Sequence, residues 1–470
     1  MRLAATTAVL LSERPLRESS LTLVDRKRNT SPSLSTPSVR VMQMVSIGES
    51  PKEQIIKDFA AHVSSGKADF YGMVDLNFIL GKREGPWMWD VTGEKKLINC
   101  HCNGGVFNLG HRHPVILKVL REALEELDIG NHHLMSEQRA MLGKKLAEHT
   151  PSEITRTVFG VGGGEAIDFS IKLARGHSRK HKIVYATSAY HGHTGLALAA
   201  GDAHFKEPFE PLAPGFVDVP FGDADAVEKA IDDETAAVLF ETIPATLGMP
   251  LPPEDFYRHV REICDQKDVL LILDEIQTGL GRTGKLWSFE HYDVVPDIFA
   301  IGKGLSGGLF PITATCYRED LDSFMNEHPF IHVSTFGGAE IGCPVAAKVL
   351  EITAADSFLS RVNKISNNLT SGLEVLRERY SEILIEIRRK GLFMGLKMSD
   401  IGYGPLMSIA GYNCGLFAVY ADNDRSVLQL LPPLIIGDDE VAYIIDAMDN
   451  AYTYAKQRPD YLELARSLAM

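Results

Sequence analysis

Nowhere does this chain reach the roughly eighteen uninterrupted apolar residues that cross a bilayer, so no membrane partner is expected. Cysteine is scarce. The six, at 100, 102, 264, 316, 343 and 414, are too scattered for a disulfide framework. They fit a reducing compartment, the cytoplasm in the simplest reading. Cys100-His101-Cys102 matches no standard zinc spacing and no second ligand pair follows, so no metal is expected. Positive charge is also short. The net charge of −14 argues against nucleic acid or an anionic membrane surface as partner. No internal repeat is visible. Glycine, by contrast, is plentiful: 40 residues, suited to tight turns and close backbone approaches.

The first forty residues stand apart, with seven Lys or Arg against three acids and a Ser/Thr/Pro-rich stretch from 29 to 38. That bias resembles an organellar (mitochondrial or plastid) transit peptide. A disordered tail, or a true start at Met42 or Met44, would read the same way. Residues 1–44 are therefore set aside as a disordered or targeting extension. An N-terminal segment follows over 45–105, with helical periodicity at 55–63 and a hairpin turning at Thr92-Gly93.

From 106 to 345, short apolar runs alternate with helical stretches. The runs are 157–160, 183–186, 237–241, 269–274, 298–301 and 312–316. Helices are expected at 115–126, 136–149 and 165–175. This alternation argues for an α/β domain whose mostly parallel sheet is covered on both faces. Beyond Pro344 the pattern changes. Longer helical stretches at 358–379 and 438–456 bracket strand-like runs at 392–398 and 427–431, so 346–470 reads as a smaller α+β domain.

The most informative residue is Lys303, set in Ile301-Gly-Lys-Gly-Leu-Ser-Gly-Gly308 after the apolar run 298–301. A strand leading into glycines carries the amine toward a buried site rather than into water. Desolvation lowers an amine's pKa and frees it to condense with an aldehyde. Asp274, at the end of the run 269–274, supplies a second part. A lysine in a Schiff base with pyridoxal 5'-phosphate commonly works with an acid that holds the pyridinium nitrogen protonated.

Ligands of an open α/β sheet lie outside the carboxyl ends of its strands. Gly162-Gly163-Gly164 follows the first run and opens a helix, offering bare N–H groups and a positive dipole end to a phosphate. Tyr190 and His191 follow the second run, Glu241 ends the third, Asp274 the fourth, and Lys303 follows the fifth. Tyr190 could stack on a pyridine ring, and Gln277 could donate to a phenolic oxygen. Each has a bland alternative: a strand-to-helix turn for the glycines, a core ring for Tyr190, a helix cap for Asp274, a surface amine for Lys303. All five coinciding on one rim is what the bland alternatives do not explain.

Leu271-Ile-Leu-Asp-Glu-Ile-Gln-Thr-Gly-Leu-Gly-Arg-Thr-Gly284, Val295-Pro-Asp-Ile-Phe-Ala-Ile-Gly-Lys303, His332-Val-Ser-Thr-Phe-Gly-Gly338 and Leu431-Pro-Pro-Leu434 complete the picture. With them the chain resembles the class III (ω-type) aminotransferases of pyridoxal-phosphate fold type I, from about Gly81 to Ile436. The resemblance implies a mostly parallel seven-stranded large-domain sheet with a smaller α+β C-terminal domain. It implies Lys303 as Schiff-base lysine and proton carrier, and Asp274 on the ring nitrogen. Gln277 would lie near the ring hydroxyl, Tyr190 on the ring, and Gly163 and Gly164 at the phosphate. Thr335 would reach the phosphate of the neighbouring subunit, hence a homodimer.

Two departures bear on function. Thr246 stands where many members place a glutamate, and Gln429 where many have an arginine. In dual-substrate members those two form a switchable ion pair. Losing one charge of a buried pair is costly, whereas losing both can be nearly neutral. Arg83, Arg112, His193 and Arg389 are then the candidates for any substrate carboxylate. The leading expectation is transamination of an amine or amino acid with a keto or aldehyde acceptor. The alternatives on the same machinery are elimination of an amine phosphate or phosphonate, and racemisation or epimerisation. A non-catalytic protein on this fold would have no need of Lys303, Asp274 and Gln277.

Overall fold

The computed structural model describes residues 52–469, so the extension expected over residues 1–44 lies outside the described residues. Seven strands form the large sheet: β1 (Ile154–Gly160), β2 (Lys182–Ala186), β3 (Phe216–Val219), β4 (Thr235–Glu241), β5 (Leu270–Asp274), β6 (Ile298–Ile301) and β7 (Thr313–Arg318). Their order across the sheet is β1-β7-β6-β5-β4-β2-β3. Pairing is parallel from β3 through to β6, and β7 runs antiparallel to both β6 and β1. The expected mostly parallel sheet is present.

Sequence explains the strands directly. β4 and β6 are buried along their whole length, as strands covered on both faces must be. Helices Gly163–Ser178, Phe256–Lys267 and Cys343–Thr353 bury their apolar faces in the same core, which draws on residues between 109 and 350. Trp287 is fully buried there and its indole N–H donates to the His149 carbonyl at 2.7 Å. β3, which the apolar pattern did not announce, is a four-residue edge strand with two exposed positions.

A second core gathers Ile98, Cys100 and residues between 362 and 465. Its sheet is antiparallel, from Leu384–Lys390, Phe393–Met398, Val427–Leu430 and Val419–Tyr420. Helices Asp356–Arg379 and Asp438–Lys456 pack on it, with Tyr380 and Tyr452 stacked 5.0 Å apart between them. The N-terminal hairpin strands Leu80–Glu84, Trp87–Asp90 and Lys96–Asn99 form a further sheet, completed by the parallel strand Leu416–Phe417. Among the described residues no helix is long and apolar enough to cross a membrane.

Candidate active site

The register of the large sheet sets the site. Glu241 pairs with Asp274 across β4 and β5, so two carboxylates end adjacent strands side by side. Both are buried. Asp274 Oδ1 accepts from the Ile276 N–H at 2.9 Å, and Oδ2 accepts from His191 Nδ1 at 2.9 Å. Glu241 Oε2 accepts from the Tyr190 N–H at 3.0 Å. The loop after β2 thus bonds to the ends of β4 and β5 together. Burial pushes Glu241 up to about 7, and the nearby Asp274 charge acts in the same direction.

Lys303 follows β6 after Gly302 and is half-buried. Burial lowers its pKa, opposed by the charges of Asp274 and Glu241. Its backbone lies at φ +39°, a left-handed conformation unusual for a residue with a side chain. Opposite it runs a segment of which the sequence reading weighed only Cys102, as a metal ligand. Cys102, Asn103, Gly104 and Gly105 all have positive φ, from 51° to 104°. A Cβ on Gly104 would fall 2.9 Å from Lys303 Cε and 3.6 Å from the Gln277 amide. Gly104 is therefore the floor on which the lysine stem and Gln277 meet. The signal for it was Asn103-Gly104-Gly105 itself, a run of residues that tolerate left-handed backbone.

The helix expected to open at Glu165 begins two residues earlier, at Gly163. Gly162 caps it without a side-chain bond, so the first N–H groups have no intrahelical acceptor. Gly192 is packed against it: a Cβ there would lie 2.8 Å from Gly164 Cα. A cavity of about 370 Å³ joins this helix start to the lysine, lined by Val161, Gly163, Lys303, Ser306, Phe310 and Thr313 among others. The unused helix N–H groups suit an anion. His191 Nε2 is buried with no partner among the described residues. Asp274 presents a fixed buried carboxylate, and Lys303 a desolvated amine. These are the donors and acceptors that an aromatic aldehyde with a phosphate arm requires, and the site fits pyridoxal phosphate.

Of the expected residues, the structure gathers Gly163, Gly164, Tyr190, His191, Glu241, Asp274, Gln277 and Lys303 at one rim. Tyr190 packs edge-on to Phe205 at 6.0 Å and near His193 at 5.3 Å. Thr335 is exposed and lies on the segment between 330 and 336, apart from any bond to that rim. Thr246 and Gln429 are separately engaged. Thr246 Oγ1 accepts from Asn423 Nδ2 at 3.5 Å, and Gln429 Nε2 donates to the Tyr420 carbonyl at 3.3 Å. Arg389 is bound to Ser366 and Asn367, on the helix Asp356–Arg379.

Two structural groups escaped sequence reasoning. Glu275 is buried and accepts four bonds, from Thr242 and Thr278 hydroxyls and from the N–H groups of Ser288 and Phe289. Arg282 is fully buried and donates to Asn108 Oδ1 and to the carbonyls of Leu392 and Pro432. It ties the loop after β5 to the second core.

Residues 71–452 match the family model described as "Aminotransferase class-III". An uncharacterized aminotransferase of Archaeoglobus fulgidus is 64% identical over 421 residues, 90% of this chain and 99% of that protein. An acetylornithine aminotransferase of Methanopyrus kandleri is 36% identical, covering 78% of this chain and 92% of its own length. Among solved structures, the ornithine aminotransferase of Toxoplasma gondii ME49 superposes with a TM-score of 0.80 at 25% identity. It covers 87% of this chain and 96% of its own.

Proposed function

The chain belongs to the class III aminotransferase family and is a pyridoxal-phosphate-dependent transaminase, and from that premise we propose how its residues divide the work. When bound, pyridoxal phosphate supplies an aldehyde for the amino group and a ring that draws electrons from the substrate Cα. Lys303 Nζ is the group that would hold the aldehyde and move the proton. Its burial keeps a larger share of the amine neutral than water would. The Asp274 carboxylate, held by His191 and the Ile276 N–H, would face the ring nitrogen. The N–H groups of Gly163 and Gly164 would receive the phosphate, Tyr190 would cover a ring face, and Gln277 would reach the ring hydroxyl.

The observation that carries this reading is the convergence of the buried Asp274 and His191 with the half-buried Lys303 at one sheet rim. We further assign a homodimer in which Thr335 serves the partner's site. Phe330, Ile331, Val333 and Phe336 flank Thr335 and leave apolar side chains exposed, as a covered interface would.

The test is a visible spectrum of the protein supplied with pyridoxal phosphate, beside Lys303→Ala. A band that needs Lys303, and that an amino donor alone bleaches, is expected. Identical spectra with and without Lys303 would sink the assignment. A Lys303-dependent band that persists while ammonia or phosphate is released would replace transamination with elimination.

A further inference from the structure

Two arginines near the lysine cavity have no acid partner among the described residues. Arg83 lies on the edge strand Leu80–Glu84, where its Nε donates to the Gly81 carbonyl at 3.2 Å. Arg112 follows His111 with φ +53°, a bend that an arginine adopts only under constraint. The two segments are locked together. Gly85 N–H donates to the His111 carbonyl at 3.0 Å and His111 N–H to the Gly85 carbonyl at 2.7 Å. Both arginines therefore line one cleft of about 580 Å³, with Phe107, Gly308 and Leu309. Gly308 and Leu309 also line the Lys303 cavity, so the two spaces are neighbours along one wall.

The charge of this cleft is one-sided. Among the described residues its one lining carboxylate, Glu84, is taken by Lys82 at 2.7 Å. His111 does not offset the arginines: burial and then the Arg83 charge hold it at about 4, so it is neutral. Its Nε2 is engaged with Asn99 at 3.0 Å. A planar guanidinium fork matches a carboxylate in two parallel bonds, and here two forks share an apolar wall.

We propose that Arg83 and Arg112 form the subsite for a carboxylate borne by the substrate away from its reacting amine. This rests on the assignment of Lys303 above and narrows it. The substrates are then carboxylate-bearing amino donors and their keto-acid counterparts rather than simple alkylamines. Gln429 and Thr246, being neutral and engaged elsewhere, leave that charge to be met by this pair.

Two measurements test it. The first compares bleaching of the visible band by 5-aminopentanoate and by pentylamine in wild type, Arg83→Ala, Arg112→Ala and Arg112→Lys. The preference for the carboxylated donor should fall about ten- to hundredfold in each alanine variant, and partly recover in Arg112→Lys. The second is calorimetric binding of glutarate, which carries no amine, to the cofactor-free protein. Its affinity should fall about tenfold or more in either alanine variant. Unchanged preference and unchanged glutarate binding, with the Lys303-dependent band intact, would overturn the subsite and leave the transaminase standing. Loss of dimer in Arg83→Ala or Arg112→Ala with the preference retained would also overturn it, assigning the arginines to the subunit interface. Absence of the band in wild type would instead strike the underlying assignment.

Discussion

His191 Nδ1 donates to Asp274 Oδ2 across 2.9 Å, with the histidine side chain fully buried and the aspartate 6% exposed. A carboxylate only accepts, so the proton sits on Nδ1 and the tautomer is fixed. Replacing His191 with Phe keeps a ring in place and leaves Oδ2 without its donor. The cost for a buried charged acceptor is about 1–3 kcal/mol. Calorimetric melting should show a lowered midpoint for the cofactor-free variant, and a smaller deficit with pyridoxal phosphate, which returns a partner to the same carboxylate. Equal deficits in both forms would mean that Asp274 does not face the cofactor.

Glu241 titrates in a window that stability can read. Burial raises it from 4.5 to about 7, so between those values the folded chain holds a proton that the unfolded chain releases. Its contribution is fully present below about pH 4.5 and is lost as pH rises through 7. The slope is up to about 1.4 kcal/mol per pH unit. His101 and His111, both lowered to about 4, act with the opposite sign as pH falls below their ordinary range. The readable quantity is therefore a difference. Urea unfolding of cofactor-free wild type minus Glu241→Gln should decline from pH 5 to pH 7, and a flat difference would contradict the assignment.

Glu275 offers a harsher exchange. Each of its oxygens accepts one hydroxyl and one backbone N–H, so an amide nitrogen at either position would confront a donor. Glu275→Gln should cost about 1–3 kcal/mol in chemical denaturation. It should also weaken cofactor binding, because the same loop carries Gln277. A variant as stable as wild type would show that the network rearranges freely.

Two glycines at the helix start should separate cleanly. At Gly192 (φ +109°) a Cβ would meet Gly164 Cα at 2.8 Å, while at Gly162 nothing lies within 4 Å. Gly192→Ala should cost about 1–3 kcal/mol and loosen pyridoxal phosphate in a fluorescence titration. Gly162→Ala should leave stability within about 0.5 kcal/mol. Similar behaviour of the two variants would refute the close approach.

Asp274 and Glu241 were legible because a buried strand ending in a charged residue breaks the expected pattern in a visible way, and Lys303 because it follows such a strand after a single glycine. The helix start was misplaced by two residues. Gly163 and Gly164 are poor helix formers, and packing against Gly192 and Thr194 overrides that preference. β3 escaped because Asp218 interrupts an already short apolar run on the sheet edge. The direction of β7 could not be read at all. It depends on pairing with β1, some 150 residues away along the chain, and local composition is the same for either direction. Arg282 and Glu275 were unreadable for a related reason: their partners at Asn108, Leu392, Pro432, Thr242 and Ser288 become neighbours only after folding.

The direction of β7 also decides how Lys303 is mounted. Parallel neighbours are joined by crossovers that ride over a sheet face, whereas antiparallel neighbours are joined by a reversal at the strand ends. Lys303 sits on the arch between β6 and β7, whose pairing runs from Ile301 with Ala314 to Ile298 with Tyr317. β5 and β1 clamp the two legs of that arch from outside. The arch cannot slide without shearing ladders on every side. The Lys303 backbone is thus tied to a strand pair held on both sides, which leaves movement of its amine to the torsions of its own methylene chain.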